Sequence, residues 1–438
     1  MGEGYLIGMK RREFLGRQAV LAAGVLVWSP AVHLRARHLP NTSLRQVRIT
    51  DLKLYRLRAE VTGTESAWQG SVQPLHIYPE YRPAQYQPVD KPGEYTGTTE
   101  RNYVEVITDD GVKGLYGPID SPALPILRDQ LRPFLIGKNP LAGELIWDQL
   151  YRSNRHARSG HFMMAISAVD NALWDLRGRY FDVPVYRLLG GPDVAEVPVY
   201  ASTLGRSVQP EDIVDTAQGF QREGFTAQKW FLPYGPGDGM DGLMKNIALA
   251  RGLREAVGEG TDLMYDAFSG LDLPYALRWT EAVADTHPRW LEEPFLMDQL
   301  HSYAELASRT NIPIATGEHL NSRWEADRML GAGAMRVVQA DPEWCGGVSE
   351  LVKICTVASL YGAQVVPHGH NLHAALHVVA SQSPAVCPMG EFLYDKMQGY
   401  YHFGRHQLQP VGGRITLPQV PGFGLDWDEA RIDELEEV

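Results

Sequence analysis

From residue 196 onwards, short apolar runs recur along the chain and alternate with stretches of helical periodicity. The runs fall at 196–201, 225–231, 262–266, 289–292, 312–317, 335–340, 363–367 and 386–392. Patterns such as Glu211–Glu223, Leu243–Val257 and Leu273–Asp285 lie between them and place apolar residues at helical spacing. A short continuous apolar run bounded by turns is the pattern of a strand covered on both faces. Eight such runs alternating with helices predict a closed barrel of parallel strands rather than an open sheet. The expected fold class is therefore α/β, a modified (β/α)8 barrel.

The first part of the chain has a different pattern. Gln46–Ala59 alternates apolar and polar residues and predicts a strand. Residues 61–100 read as a long irregular segment with Tyr78, Tyr81, Tyr86, Tyr95 and five prolines. Segments of this length inside a compact domain are usually functional, and the aromatic content predicts an ordered, substrate-covering lid. Arg101–Gly117 predicts a hairpin that turns at Asp109-Asp110-Gly111. Helical stretches follow at about 122–136 and 140–156, and a longer one from Phe162 to Phe181. The division expected is an α+β capping domain over 46–160, a barrel over 161–399, and a segment 400–438 returning to the capping domain.

Composition changes this picture little. A chain of 438 residues, 44% hydrophobic and 21% charged, can bury a large core. A net charge of −12 argues against nucleic acid as a partner. At the N-terminus, Lys10-Arg11-Arg12-Glu13-Phe14-Leu15 precedes an uncharged run from Ala19 to Trp28 that is too short to span a bilayer. This is the layout of a twin-arginine-type signal over residues 1–31, with small residues for cleavage at Ser29-Pro30-Ala31. The expectation is export to the periplasm with no stable membrane insertion after processing. Cys345, Cys355 and Cys387 are odd in number and widely spaced, so they predict core thiols rather than a disulfide framework.

Candidate chemistry collects where the barrel strands end. Asp266, Glu292 and Glu318 stand 26 residues apart, and each closes an apolar run. Parallel barrel strands point their C-terminal ends at one face, so the spacing brings the carboxylates to one mouth. Convergent carboxylates suit a hard cation, and one Mg²⁺ per site is expected. Glu293 follows Glu292, but side chains alternate along a strand, so one of the two is expected as a direct ligand. His368 ends the run Val365-Val366-Pro367, and Asp341 ends the previous one. A carboxylate on Nδ1 would leave Nε2 free as a general base.

Several motifs together carry a resemblance. They are Gly317-Glu318-His319, Gln339-Ala340-Asp341-Pro342-Glu343-Trp344-Cys345-Gly346-Gly347, Val365-Val366-Pro367-His368-Gly369, Gly390-Glu391-Phe392-Leu393 and Asp170-Asn171-Ala172-Leu173-Trp174-Asp175-Leu176. Over residues 46–425 the chain resembles the enolase superfamily, in its mandelate-racemase-like subgroup and nearest its rhamnonate dehydratase branch. The resemblance implies a small-molecule carboxylate substrate whose α-proton is removed beside Mg²⁺. It implies Asp266, Glu292 and Glu318 as ligands, His368 with Asp341 as the base, and Glu391 facing the substrate. It also implies a homo-oligomer. Many relatives carry Lys-x-Lys on the second barrel strand, whereas this chain reads Lys229-Trp230-Phe231. Without a second lysine, a two-base racemase is disfavoured, and a one-base acid-sugar dehydratase is expected, with Lys229 as an electrostatic contact. An epimerase, a cycloisomerase or a non-catalytic acid-sugar binding protein stays open as an alternative. His76, Tyr81 and Arg82 from the lid, and His319, are the expected substrate contacts.

Overall fold

The computed structural model describes residues 46–64, 71–82 and 94–438. The signal-type segment 1–31 and Tyr86 lie outside the described residues. Among the described residues no helix is long and apolar enough to cross a membrane.

Two long strands, β1 (Ile49–Thr64) and β2 (Glu94–Thr108), pair antiparallel with Leu52 opposite Val106 and Thr64 opposite Glu94. With β3 (Lys113–Ile119) and β13 (Glu434–Glu437) they form a sheet in the order β13-β1-β2-β3. Leu52, Leu54, Val104 and Val106 bury one face. This pairing corrects the reading of 61–100 as irregular, because 61–64 and 94–100 continue the two strands. Val61 and the threonines at 96, 98 and 99 supply β-branched residues that suit a ladder, which the prolines between them concealed. The short turns Pro74–Ile77 and Pro79–Tyr81 follow in the same segment.

The helix His161–Phe181 joins this sheet to the barrel and is buried along most of its length. A Cβ on Gly114 of β3 would lie 2.2 Å from the Ala172 carbonyl, so only glycine lets the sheet approach the helix this closely. The helix also carries buried polar side chains that staple remote segments. Asp170 accepts from the Ser349 N–H at 2.9 Å and hydroxyl at 2.7 Å. Asn171 donates to the Pro342 carbonyl at 3.0 Å and accepts from the Val348 N–H at 2.9 Å. Asp175 accepts from the N–H groups of Leu115 and Phe423, each at 2.8 Å. Buried polar groups must be paired, and here the pairing fixes the loop 342–349 beside the barrel mouth.

The barrel strands are β4 (Glu196–Ser202), β5 (Ala227–Phe231), β6 (Asp262–Asp266), β7 (Trp290–Glu292), β8 (Ile314–Thr316), β9 (Val337–Val338), β10 (Gln364–Val365) and β11 (Gly390–Leu393). They run parallel in the order β10-β9-β8-β7-β6-β5-β4-β11, so every predicted run is a strand. β10 and β11 do not pair directly. At this seam the Val365 N–H donates instead to the Val386 carbonyl, at 2.7 Å. The chain end meets both sheets, since β12 (Arg414–Thr416) pairs with β4 before β13 reaches β1.

Alternation along the strands builds the interior in layers. Tyr200, Ala227, Met264, Trp290, Ala315, Val337 and Val366 pack together as an apolar floor. Two residues further along come Ser202, Lys229, Asp266, Glu292, Gln339 and His368, all buried, while Gly317 holds that place on the β8 run and buried Glu391 lies two residues beyond the partly buried Met389.

Candidate active site

The layer above the floor is dominated by one cation. Lys229 Nζ lies 3.0 Å from Asp266 Oδ2 and 2.8 Å from Glu391 Oε1, and it also pairs with Glu292. Burial pushes the Lys229 ammonium down, but Glu292, Glu391 and Asp266 outweigh it and hold it well above its ordinary value. The carboxylates are anchored from behind. The Trp290 indole donates to Glu292 Oε2 at 2.9 Å, the Phe268 N–H to Asp266 at 2.9 Å, and the Gly369 N–H to Glu391 Oε2 at 2.9 Å. Burial raises Glu391, but Lys229 and then His368 bring it down to about 2.

A second group of donors stands beside the first. Atoms of Glu293, Glu318 and His319 lie within 4.8 Å of one another. His319 Nε2 is 3.3 Å from Glu318 and 3.9 Å from Glu293. Burial pushes Glu293 well up, and Glu318, Asp266 and Glu292 add to the shift. Its Oε1 is buried with no hydrogen-bond partner, and its backbone holds a φ of 39°, in the left-handed region. The mouth thus gathers Asp266, Glu292, Glu293 and Glu318 around the ammonium of Lys229. A hard, all-oxygen donor set with surplus negative charge and an unpartnered carboxylate oxygen fits a divalent cation such as Mg²⁺.

His368 Nδ1 lies 2.9 Å from Asp341 Oδ2, while its Nε2 faces Glu318 at 3.7 Å. Burial would lower His368, but Glu318, the Asp341 hydrogen bond and Glu391 raise it to about 9. The structure therefore brings Asp266, Glu292, Glu318, Lys229, His368, Asp341, Glu391 and His319 into one mouth. It does not bring the lid residues there. Arg82 donates to the carbonyls of His76 at 2.9 Å and Gly237 at 2.6 Å. His76 Nδ1 accepts from the Gln73 N–H at 3.2 Å, and Tyr81 is exposed with its ring edge-on to Tyr78. No contact among the described residues links these three to the dyad or the carboxylates. The hydrogen bonds of Arg82 and His76 hold the short turns in place.

Asp120, Glu343 and His370 form a further donor cluster beside the mouth, with ligand atoms within 4.8 Å of one another. The Trp344 ring stacks on both His319 and His368, with centroids 5.3 and 5.1 Å away, and its indole donates to Asp120 at 3.0 Å. Asp120 follows β3, so it links the antiparallel sheet to the loop beyond β9. His370 Nε2 lies 3.4 Å from Asp120 and 3.2 Å from Glu343, and its Nδ1 is 2.6 Å from the Lys396 ammonium. An ammonium only donates, so Nδ1 is the acceptor and Nε2 carries the hydrogen. Glu343 and Trp344 sit inside a motif read from sequence. Asp120 has no such signal, because only the tertiary fold places it here.

The family described as "Enolase C-terminal domain-like" matches residues 212–431, and "Mandelate racemase / muconate lactonizing enzyme, N-terminal domain" matches 83–190. An L-rhamnonate dehydratase of Saccharopolyspora erythraea is 35% identical over 362 residues, covering 80% of this chain and 88% of its own. A D-galactarolactone cycloisomerase of Agrobacterium fabrum is 31% identical over 349 residues, covering 76% and 90%. Among solved structures, a racemase from Streptomyces coelicolor A3(2) with bound magnesium aligns with a TM-score of 0.71 at 25% identity, over 88% of this chain and 98% of its own.

Proposed function

Because the chain belongs to the enolase superfamily, in its mandelate racemase and muconate lactonizing branch near the rhamnonate dehydratases, we propose that it is a Mg²⁺-dependent acid-sugar dehydratase. It would turn an aldonate-type 2,3-dihydroxy acid into a 2-keto-3-deoxy acid. The observation that carries the reading is the His368–Asp341 pair, whose Nε2 faces the carboxylate-lined mouth.

Asp341 holds the proton on Nδ1, so the deprotonated form of His368 presents its Nε2 lone pair as base toward a substrate α-proton. Once protonated, His368 is the acid that can return a proton to the departing β-hydroxyl. Mg²⁺, held by Asp266, Glu292 and Glu318, would supply positive charge to the substrate carboxylate as its α-proton leaves. Glu318 also lies within 4.8 Å of Glu293 and His319, which supports these two as alternative donors to the same cation. Lys229 keeps Asp266, Glu292 and Glu391 ionised within a buried layer. Phe231 stands two residues beyond Lys229 on β5, where a second base would be needed for racemisation. The likeness to a cycloisomerase supports a second reading, in which the same proton abstraction opens a ring instead of expelling water.

The leader Lys10-Arg11-Arg12 with its apolar run supports export by the twin-arginine route. The deciding experiment incubates the protein and Mg²⁺ with C4–C6 aldonic and aldaric acids and assays 2-keto-3-deoxy product. Product from one acid, lost in His368→Asn, supports the dehydratase. Ring isomerisation of a lactone without water loss supports the second reading. Neither activity, with no α-proton exchange in D₂O, removes both.

A further inference from the structure

All three cysteines of the chain are buried, and none takes part in the chemistry above. Two of them touch. Cys355 Sγ and Cys387 Sγ are 3.6 Å apart, although 32 residues separate them in sequence. Cys355 lies on the helix Gly347–Leu360, which connects β9 to β10. Cys387 lies in the segment just before β11, and its N–H donates to the Ser383 carbonyl at 2.8 Å. The neighbouring Val386 carbonyl is the group that accepts from Val365 of β10 at the barrel seam. The sulfur contact therefore spans the place where β10 and β11 are not paired strand to strand. These strands lead into His368 and carry Glu391.

We propose that Cys355 and Cys387 are a modification site, a dithiol that oxidises to an internal disulfide and ties the seam covalently. The sulfurs need to close by about 1.5 Å to reach bonding distance, a movement within reach of side-chain rotation. Hydrogen peroxide, close to water in size, is the class of oxidant that suits a buried pair. The sulfur of one thiol attacks a peroxide oxygen, the O–O bond breaks, and a sulfenic acid and water form. The second sulfur attacks the sulfenic sulfur, the S–S bond forms, and the oxygen leaves as a second water carrying the remaining thiol proton. Two sulfurs are each oxidised by one electron, and one peroxide is reduced to two waters. The contact with Cys387, and then burial, push the Cys355 thiol well above its ordinary value, which keeps it protonated and slows attack from that sulfur. The same burial shields the product from reducing thiols, which makes the bond a lasting lock rather than a fast switch.

The test uses the full chain in native buffer, treated with hydrogen peroxide, then denatured with an alkylating agent and peptide-mapped. The expected product is a linked peptide joining Cys355 to Cys387, two hydrogens lighter than the reduced pair, with Cys345 alkylated. Dithiothreitol applied after unfolding should restore both alkylated peptides, and the oxidised protein should melt higher than the reduced one. Oxidation of the exposed Met240 and Met244 confirms that the dose was sufficient. Recovery of Cys355 and Cys387 as free thiols or as sulfinic acids at that dose, or a link to Cys345, overturns the proposal. Cys345→Ser should keep the linked peptide and Cys355→Ser should abolish it. The peptide map of the parent protein decides the question even if a variant fails to fold, and it does not depend on which reaction the enzyme performs.

Discussion

His368 and Asp341 form a fixed pair. Nδ1 and Oδ2 are 2.9 Å apart, and the other Asp341 oxygen is pinned at 2.7 Å by the Glu343 N–H. The carboxylate cannot rotate away without losing that second bond, so the imidazole is held in one tautomer. His368→Asn should reduce turnover by about 10²–10⁴-fold. Asp341→Asn should reduce it less, with kcat falling more than KM rises, because the base stays in place but loses its orientation. Steady-state kinetics on whichever acid yields product provides the comparison. Equal kcat for the parent and Asp341→Asn would remove the dyad from the mechanism.

Lys229 is the cation shared by Asp266, Glu292 and Glu391. Replacing it with methionine fills similar volume but leaves these carboxylates buried without their partner. Lys229→Met should destabilise the fold by about 3–5 kcal/mol, the range seen when one member of a buried ion pair is removed. Urea unfolding followed by tryptophan fluorescence measures this. A change under 1 kcal/mol would show that the carboxylates protonate at little cost.

Mg²⁺ should raise the melting temperature. At a hundredfold excess over Kd, binding to the folded state contributes about 2.7 kcal/mol. Glu318→Gln should abolish the shift, since Glu318 belongs both to the expected set Asp266, Glu292 and Glu318 and to the donor group Glu293, Glu318 and His319. Glu292→Gln and Glu293→Gln separate the sets. Loss of the shift in the first, with retention in the second, supports Asp266, Glu292 and Glu318. The reverse result assigns the cation to Glu293, Glu318 and His319.

His373 and His377 are buried imidazoles that burial depresses to about 3. The Tyr186 N–H donates to His377 Nδ1 at 3.1 Å, so a proton on that nitrogen would face another donor. Above about pH 6.5 both histidines are neutral, folded or unfolded, and their contribution to stability is fully present. As pH falls from there toward 3, the unfolded chain takes up protons that the folded one refuses. Each site should then cost about 1.4 kcal/mol per pH unit. His377→Gln keeps an acceptor for Tyr186 and should flatten the acid limb of stability against pH. An unchanged slope would mean that the carboxylates alone set it.

The barrel was legible because its signal is local. Each strand is a short apolar run, and its last polar residue lies at the mouth whatever the rest of the chain does. Asp266, Glu292, Glu318, Asp341 and His368 were readable for that reason. Asp120 was not, because it reaches Trp344 and His370 only through the packing of β3 on the helix His161–Phe181. The buried polar residues of that helix read as part of a family motif, and their role as staples depends on partners more than 170 residues away. The strand extensions at 61–64 and 94–100 were hidden by nearby prolines, although their register is fixed by the continuing ladder. Arg82 drew attention as a charged lid residue, yet a guanidinium can equally serve as a brace for backbone carbonyls, and here it does.

β13 pairs with β1, so the sheet that opens the described fold is completed by a strand that follows the barrel in chain order. During synthesis β1, β2 and β3 emerge early and wait, with one edge open, until every barrel strand has been made. The edge partner arrives only after the active-site residues have been translated, so the β1 edge stays unpaired in any fragment that lacks β13. A ribosome that stops after β11 would release a product with an uncapped edge and no β12 on β4, open to proteolysis and to strand pairing with its neighbours.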